Sequence, residues 1–525
     1  MGKAGIEKTS KRDQAIRTVV QTAALMVILT LGSKLFGFVR EMVFAAYFGA
    51  GYVMDAYSMA QSIPKMLFSG ILQAVSLSFL PLFSEKAEQE GIKSGNEFLV
   101  EVINLLLRTA VLLGVLGIVF SDGLVKIFAH GFKGEQATLT VFFLKIGFIY
   151  FAFSACSELL KKYLEYKGMF LRPIVFGYLQ NVIIIFFAIA AAFYGEKILI
   201  FGPFFAYLVF AIVLGYLTAK EGVQWKFSFK SSKAAKQIIW LAFPTFVSSY
   251  LASINSFVDK AQASTLPEGS VASLGYAVTI IGFIMGLTTS IIATLITPKM
   301  NQARAKGEIE AYNALLSRGF NLTAMISIPC GFALMLFSNE IVQVLYERGA
   351  FDELATATTA IALFWYGPYL CFVQLNNHTT ITFLSNKDTK TPMWISLVAV
   401  TINVTLNLIL VRKMGIGGIA LATSIGTAIS LIMSVAIFEK KYKNLRIIES
   451  YKKLCLISIA AAVSVLIAKG LYIRLVEAVW MPRACYLGIV ALVAMIIYYI
   501  ILVKTGMEEM ALLKGILMKK EKVKG

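Results

Sequence analysis

Histidine, cysteine and charge are all scarce in this 525-residue chain, which has two His, five Cys and only 15% Asp, Glu, Lys and Arg. Two histidines, His130 and His378, cannot build a multi-histidine metal site. Cys156, Cys330, Cys371, Cys455 and Cys485 lie in or beside apolar runs with no paired spacing. That pattern argues against a disulfide framework and leaves them as small packing residues. No Gly-Lys-Ser or Gly-Lys-Thr phosphate loop occurs, which argues against an ATP-driven pump. Neither a paired-aspartate motif for metal-pyrophosphate chemistry nor a Ser/His/Asp grouping emerges, so the reading is of a protein that is not an enzyme, with no cofactor and no bound metal.

What is present is apolar sequence. Hydrophobic residues make up 58% of the chain and its mean hydropathy is +0.75. Apolar stretches of about 20 residues recur throughout, each long enough to cross a hydrocarbon core of roughly 30 Å. Backbone groups in lipid must be satisfied internally, and these runs are too long and continuous for barrel strands, so helices are expected. The predicted spans are 18–47, 53–83, 98–121, 137–160, 172–194, 199–219, 236–260, 271–297, 319–338, 354–384, 392–411, 415–438, 453–473 and 484–504. The fold class is therefore an all-α polytopic membrane protein of about 14 transmembrane helices. Met1 to Arg17 is polar and basic with no small-residue cleavage site after it, and reads as a cytoplasmic tail.

Lys and Arg number 49 against 30 Asp and Glu, a net charge of +19. With a cytoplasmic N-terminus, the dense clusters Lys161–Arg172, Lys220–Lys236 and Lys440–Arg446 all fall on the inner side. The basicity is thus an orientation signal, helped by anionic lipid heads, and does not call for nucleic acid. An even span count puts both termini in the cytoplasm.

A faint repeat organises the chain. Phe38-Val39-Arg40-Glu41, a glycine-containing break and Ala56-Tyr57 are echoed by Phe257-Val258-Asp259-Lys260, a second break and Gly275-Tyr276. Pro81 and Gly91 are matched by Pro298 and Gly307, at offsets of about 216–219 residues. Six spans separate the copies, so the repeats are parallel and related by an axis along the membrane normal. The expected division is an N-lobe over 1–222, a C-lobe over 223–440 and a helix pair with a basic tail over 441–525.

The first two spans carry Lys34, Arg40, Glu41, Asp55 and Lys65, and the matching place in the C-lobe carries Asp259 and Lys260. Each such group at bilayer depth costs roughly 2.5–3.5 kcal/mol on insertion scales, which points to a wet cationic cavity. Cations gathered there suit phosphate or pyrophosphate, with Arg40 able to bind as a fork and the lysines as point charges. Glu41, Asp55 and Asp259 would hold those cations while the cavity is empty. The alternative for Arg40 and Lys260 is snorkelling to the outer interface. Gly32, Gly37 and Pro64 suggest bent helices or close packing beside these charges. Secondary candidates are Lys145 and Glu158 in the fourth span and the polar run Gln374, Asn376, Asn377, His378, Thr379 and Thr380 in the tenth. Asn403, Thr405 and Asn407 in the eleventh are oxygen ligands that a cation could use, though no acid accompanies them within the span.

Ser33-Lys34-Leu35-Phe36-Gly37-Phe38-Val39-Arg40-Glu41 resembles the Ser-Arg-x-x-Gly-x-x-Arg-Asp segment of the MurJ (MviN) group. These are lipid-linked peptidoglycan-precursor flippases of the multidrug/oligosaccharidyl-lipid/polysaccharide (MOP) exporter superfamily. Phe48–Gly51, Asp55-Ala56-Tyr57, Ile63-Pro64, Val258-Asp259-Lys260, Gly269-Ser270-Val271, Arg348–Phe351, Asp388–Pro392 and Gly417–Ser424 continue the resemblance in order, over roughly residues 18–440. It implies two six-helix lobes around a central cavity, with the last two helices forming a groove for a polyprenyl tail. The implied substrate is an undecaprenyl-pyrophosphate-linked saccharide, lipid II first, moved across the bacterial cytoplasmic membrane by alternating access. Membrane potential or a Na⁺ or H⁺ gradient would drive it, and cell-wall synthesis proteins would be partners. By the same resemblance Lys34, Arg40, Asp55 and Lys260 fall on essential cavity charges. The chain departs from the family after Pro64: Lys65-Met66-Leu67-Phe68-Ser69 stands where Asn-x-x-Arg-Arg is usual. Lys34 and Lys260 replace arginines, keeping charge and losing the fork. Those departures keep open an exporter of another polyprenyl-linked glycan; a cation-coupled drug exporter is a further alternative, against which the several cavity cations argue.

Overall fold

The computed structural model describes residues 3–226, 250, 253–448, 451–478, 480–507 and 509–510. Every regular element among them is helical. In the first part of the chain these are α1 (Lys3–Phe48), α2 (Tyr52–Glu90), α3 (Ile92–Val119), α4 (Ser121–Phe128), α5 (Gly134–Tyr166), α6 (Leu171–Tyr194), a 3₁₀ turn (Glu196–Ile200) and α7 (Phe201–Lys220). Residues 253–263 form α8. There follow α9 (Ser270–Leu295), α10 (Thr297–Lys306), α11 (Ile309–Leu336), α12 (Ser338–Tyr346), α13 (Glu353–Ser385), α14 (Lys390–Met414), α15 (Ile416–Lys441), α16 (Tyr451–Ala478) and α17 (Arg483–Lys504).

Among the described residues, 11 helices are long and apolar enough to cross a membrane. Expected spans 18–47 and 53–83 lie in α1 and α2, of 46 and 39 residues, which carry the charges noted above. Most of expected span 236–260 lies outside the described residues; its end is α8. α1 continues as helix through Gly32 and Gly37, and α2 through Pro64 and Pro81. The short helices α4, α10 and α12 and the 3₁₀ turn were not anticipated. They are amphipathic or polar, too short to register as spans.

The chain is an all-α polytopic membrane protein. It forms two compact units, one from the described residues within Met1–Tyr47, Met59–Phe128 and Lys133–Tyr250, the other from those within Phe48–Ser58, Ala129–Phe132 and Leu251–Gly525. The expected cut at 222/223 precedes this division, and the second unit takes in the last two helices. It also recruits two short stretches of early sequence, 48–58 and 129–132, so α2 begins in one unit and ends in the other.

Between helices in lipid there is little hydrophobic driving force, so packing and polar ties hold them. In the first unit aromatic side chains fill the core: Phe79 stacks on Phe98 at 6.0 Å and Phe83 meets Tyr163 edge-on at 5.5 Å. In the second unit α13 is the hub, and its polar run divides among its neighbours. Gln374 Nε2 donates to the Met285 carbonyl of α9 at 3.2 Å. Asn376 accepts from Ser434 of α15 at 2.9 Å. His378 Nε2 meets the Leu316 carbonyl of α11 at 3.0 Å, with its ring edge-on to Phe320. Gln374 and His378, four apart, share one side of α13 and reach α9 and α11, while Asn376 between them points to α15, so the run ties three helices at once.

Polar ties also fix α16 and α17. Lys469 pairs with Glu340 of α12, and Arg483 pairs with Glu347 at 2.9 Å. Beyond α17, the buried Glu509 accepts from Asn321 of α11 at 2.7 Å.

Candidate functional site

In the first unit α1 lies along one face of α6, where Gly177, Tyr178 and Asn181 project at helical spacing. Gly32 leaves room for that approach: a Cβ there would displace the Tyr178 hydroxyl, which donates to the Leu29 carbonyl at 2.7 Å. Two turns along α1, Arg40 places Nη2 at 2.7 Å and Nε at 3.2 Å from Glu41 Oε1. Its Nη1 donates to Asn181 Oδ1 at 3.1 Å. The Phe44 ring lies 5.9 Å from the guanidinium. Both members of the pair keep access to their surroundings, with side chains 28% and 18% exposed. Arg40 is therefore held ready, not locked away.

Lys34, Lys65 and Lys145 are exposed and make no ion pair among the described residues. Glu158 is exposed as well. An ammonium in a long apolar helix with no protein partner must find water or an anion.

The second unit treats its charges differently. Asp55, in the first turn of α2, is 1% exposed. Its Oδ2 accepts from the Gly269 N–H at 2.8 Å and its Oδ1 from the Ala272 N–H at 2.7 Å. A carboxylate there satisfies orphan donors at the N-terminus of α9 and opposes the positive end of its dipole. In return Glu268 Oε1 accepts from the Tyr52 N–H, the first residue of α2, at 2.9 Å. Tyr276 closes the arrangement by donating to the Gly49 carbonyl at 3.0 Å. Gly269, at φ +86°, has Ala50 O so close that any Cβ would collide with it. The starts of α2 and α9 thus cap one another. Asp55 is buried in that tie and is not an open charge, a correction to its expected place, because each of its oxygens accepts from a backbone N–H.

Asp259 and Lys260 diverge. Lys260 Nζ donates to Ser58 of α2 at 2.8 Å. Asp259 is 5% exposed and turns into the second unit, again not as an open charge. Its Oδ1 accepts from Asn407 Nδ2 at 2.5 Å and its Oδ2 from the Thr423 hydroxyl at 3.0 Å. Asn403 Nδ2 meets Thr423 Oγ1 at 3.0 Å, and Asn407 also contacts Asn403 Oδ1 at 3.0 Å. The acid absent from the eleventh span is supplied by α8. Asn407 Oδ1 has no partner in this buried cluster. Sequence order gave no hint that Thr423 joins it, nor that Asn181 reaches Arg40, since both contacts bridge long separations along the chain.

A family model described as lipid II flippase MurJ matches residues 44–505. The chain belongs to the MurJ family. The match begins just after Lys34, Arg40 and Glu41. A relative from Rickettsia prowazekii (strain Madrid E), named probable lipid II flippase MurJ, is 27% identical over 436 residues, covering 81% of this chain and 85% of the relative. One of the same name from Rhizobium meliloti (strain 1021) is 29% identical, covering 78% of each. Among solved structures, a lipid II flippase MurJ in an inward closed conformation superposes with TM-score 0.77 at 25% identity, covering 91% of this chain and 98% of that one. An inward-facing MATE transporter of the MOP superfamily shares the fold, with TM-score 0.67 at 14% identity. MurJ is a family of transporters, and its helical fold is the one seen here.

Proposed function

We propose that this protein is a lipid II flippase of the bacterial cytoplasmic membrane, with both termini in the cytoplasm, and that it catalyses no chemical step. Its membership of the MurJ family over residues 44–505 carries the reading. Lys34, Arg40 and Lys65 of the first unit are the charges the pyrophosphate head meets there, with Lys145 as a further candidate. Arg40 exchanges its contact with Glu41 for the phosphate oxygens, an anion-for-anion swap that keeps the guanidinium paired throughout. The undecaprenyl tail stays in lipid or along α16 and α17, whose outward faces are apolar at Ile459, Leu466, Leu492 and Ile496.

Alternating access requires some contacts to break and reform. The reciprocal caps between α2 and α9 suit that role, because they consist of a few hydrogen bonds at helix ends. The cluster of Asp259, Asn403, Asn407 and Thr423 is the coupling centre. Binding Na⁺ or a proton at the lone carboxylate changes its charge, and with it the hydrogen bonds joining α8, α14 and α15. A head group crossing the potential gains or loses about 2.3 kcal/mol per charge per 100 mV, so the potential alone is a sizeable drive. Cell-wall synthesis enzymes would supply and consume the lipid.

The test is complementation of bacteria depleted of their own lipid II flippase, at matched membrane expression. Rescue by the wild type, lost in Arg40→Ala, is the expected result. Failure of well-inserted wild type to rescue would transfer the reading to another polyprenyl-linked glycan.

A further inference from the structure

The charged face of α1 depends on a neutral side chain that no charge count would find. Arg40 is held from two directions, by the Glu41 carboxylate and by the Asn181 amide oxygen. These holders differ in kind. Glu41 is an anion, so a pyrophosphate arriving at the same fork competes with it directly. Asn181 is neutral and occupies the other terminal nitrogen, so it need not leave when an anion docks.

Asn181 is also held in place. Its Nδ2 donates to the Gly177 carbonyl at 3.0 Å, one turn back on α6. A flipped amide would set NH₂ against the guanidinium and oxygen against a carbonyl, so only one orientation satisfies both neighbours. The same face of α6 fixes the register of α1 through Tyr178 and Leu29. The amide oxygen is thereby presented at a set height along α1, where the guanidinium arrives. Without it, a guanidinium released by Glu41 loses the acceptor that fixes its Nη1, and the fork has to be aimed again at each binding event.

We propose that Asn181 is the positioning residue of the Arg40 fork: it keeps the guanidinium aimed while Glu41 and the substrate pyrophosphate exchange places. The proposal rests on Arg40 being a head-group contact.

The experiment measures binding of lipid II, and separately of undecaprenyl pyrophosphate, to the full chain in nanodiscs. Asn181→Leu, similar in volume, should weaken binding about tenfold, the equivalent of one charge-assisted hydrogen bond. In an Arg40→Ala background the same substitution should change nothing. Asn181→Asp places a second anion on the fork and should weaken binding further than Leu, and Glu41→Gln should restore it. A packing role would survive Arg40→Ala and would not respond to Glu41→Gln. Wild-type affinity in Asn181→Leu, or an equal loss with and without Arg40, overturns the proposal. Wild type that binds undecaprenyl pyrophosphate and not lipid II overturns the lipid II reading, and the Asn181 comparison is then decided on undecaprenyl pyrophosphate. Wild type that binds neither overturns both.

Discussion

Arg40, in α1 of the first unit, and Asp259, in α8 of the second, are both charges set in helices, and the protein handles them in opposite ways. Arg40 keeps part of its surface open and is steadied by one carboxylate and one amide. Asp259 is sealed, and its two oxygens accept from an amide and a hydroxyl of its own unit. The same contrast separates the exposed Lys34, Lys65 and Lys145 from the buried Asp55. An open cation in such a place is costly unless something polar visits it, which suits a passing anionic head group. A sealed carboxylate is stabilised by its own donors, which suits an internal tie that can be remade. Substituting the two kinds of charge should therefore have different consequences.

Arg40→Ala should give the largest functional loss with the smallest structural one. Removing two charge-assisted hydrogen bonds to a phosphate is expected to lower flipping about 10–100-fold. The thermal midpoint in detergent should scarcely move, because the guanidinium is part-exposed. A midpoint falling in step with activity would place Arg40 with the structural ties and remove the contrast.

Asp259→Leu should do the reverse in proportion. It leaves one Asn407 N–H without its acceptor, at about 1–3 kcal/mol for a donor left unsatisfied in the interior, while the Thr423 hydroxyl falls back on the Ile419 carbonyl at 3.2 Å. The unfolding midpoint should drop clearly, and transport should lose its response to an imposed ion gradient. Asp259→Asn, which keeps the shape, should recover stability more than it recovers coupling. Equal recovery of both would make the cluster purely structural.

Asp55→Ala comes next. It removes two caps from the α9 N-terminus, on the order of 2 kcal/mol in total. The expected outcome is greater thiol labelling of an Ala50→Cys probe in a chain whose native cysteines have been replaced, with the protein still folded. Unchanged labelling would mean that Glu268 and Tyr276 hold the loop without help.

The all-helical membrane fold was legible because hydropathy and length alone impose it: a run such as 172–194 has few other fates. The outlying charges were legible for the same reason, since each stands against an apolar background. Direction was not. Asp259 and Lys260 are neighbours in sequence, yet one faces α14 and α15 and the other Ser58. The polar run in α13 carried no direction either, and its position as a hub gives Gln374, Asn376 and His378 three different helices to bind. The recruitment of 48–58 by the second unit was hidden too, because Asp55 finds its donors on backbone amides, which leave no mark in composition.

The smallest effect belongs to Asp388, in the turn between α13 and α14. It accepts from the Thr391 N–H at 3.1 Å and hydroxyl at 2.7 Å, and from Lys441 Nζ at 2.7 Å. Burial by itself would raise its pKa, but the hydrogen bonds from Lys441 and Thr391 outweigh it and hold the carboxyl below the usual range. A lowered folded-state value means that the unfolded chain takes up the proton first. The contribution is therefore complete above the ordinary carboxylate pKa and is lost as pH falls through the lower folded-state value. Asp388→Asn should lower the thermal midpoint slightly at neutral pH, and the gap to wild type should close in acid. Because the lysine head is half exposed, solvent screens most of the attraction and the shift stays small. A gap of constant size at all pH values would show that the carboxylate acts only as a neutral acceptor capping α14, and that Lys441 adds nothing to it.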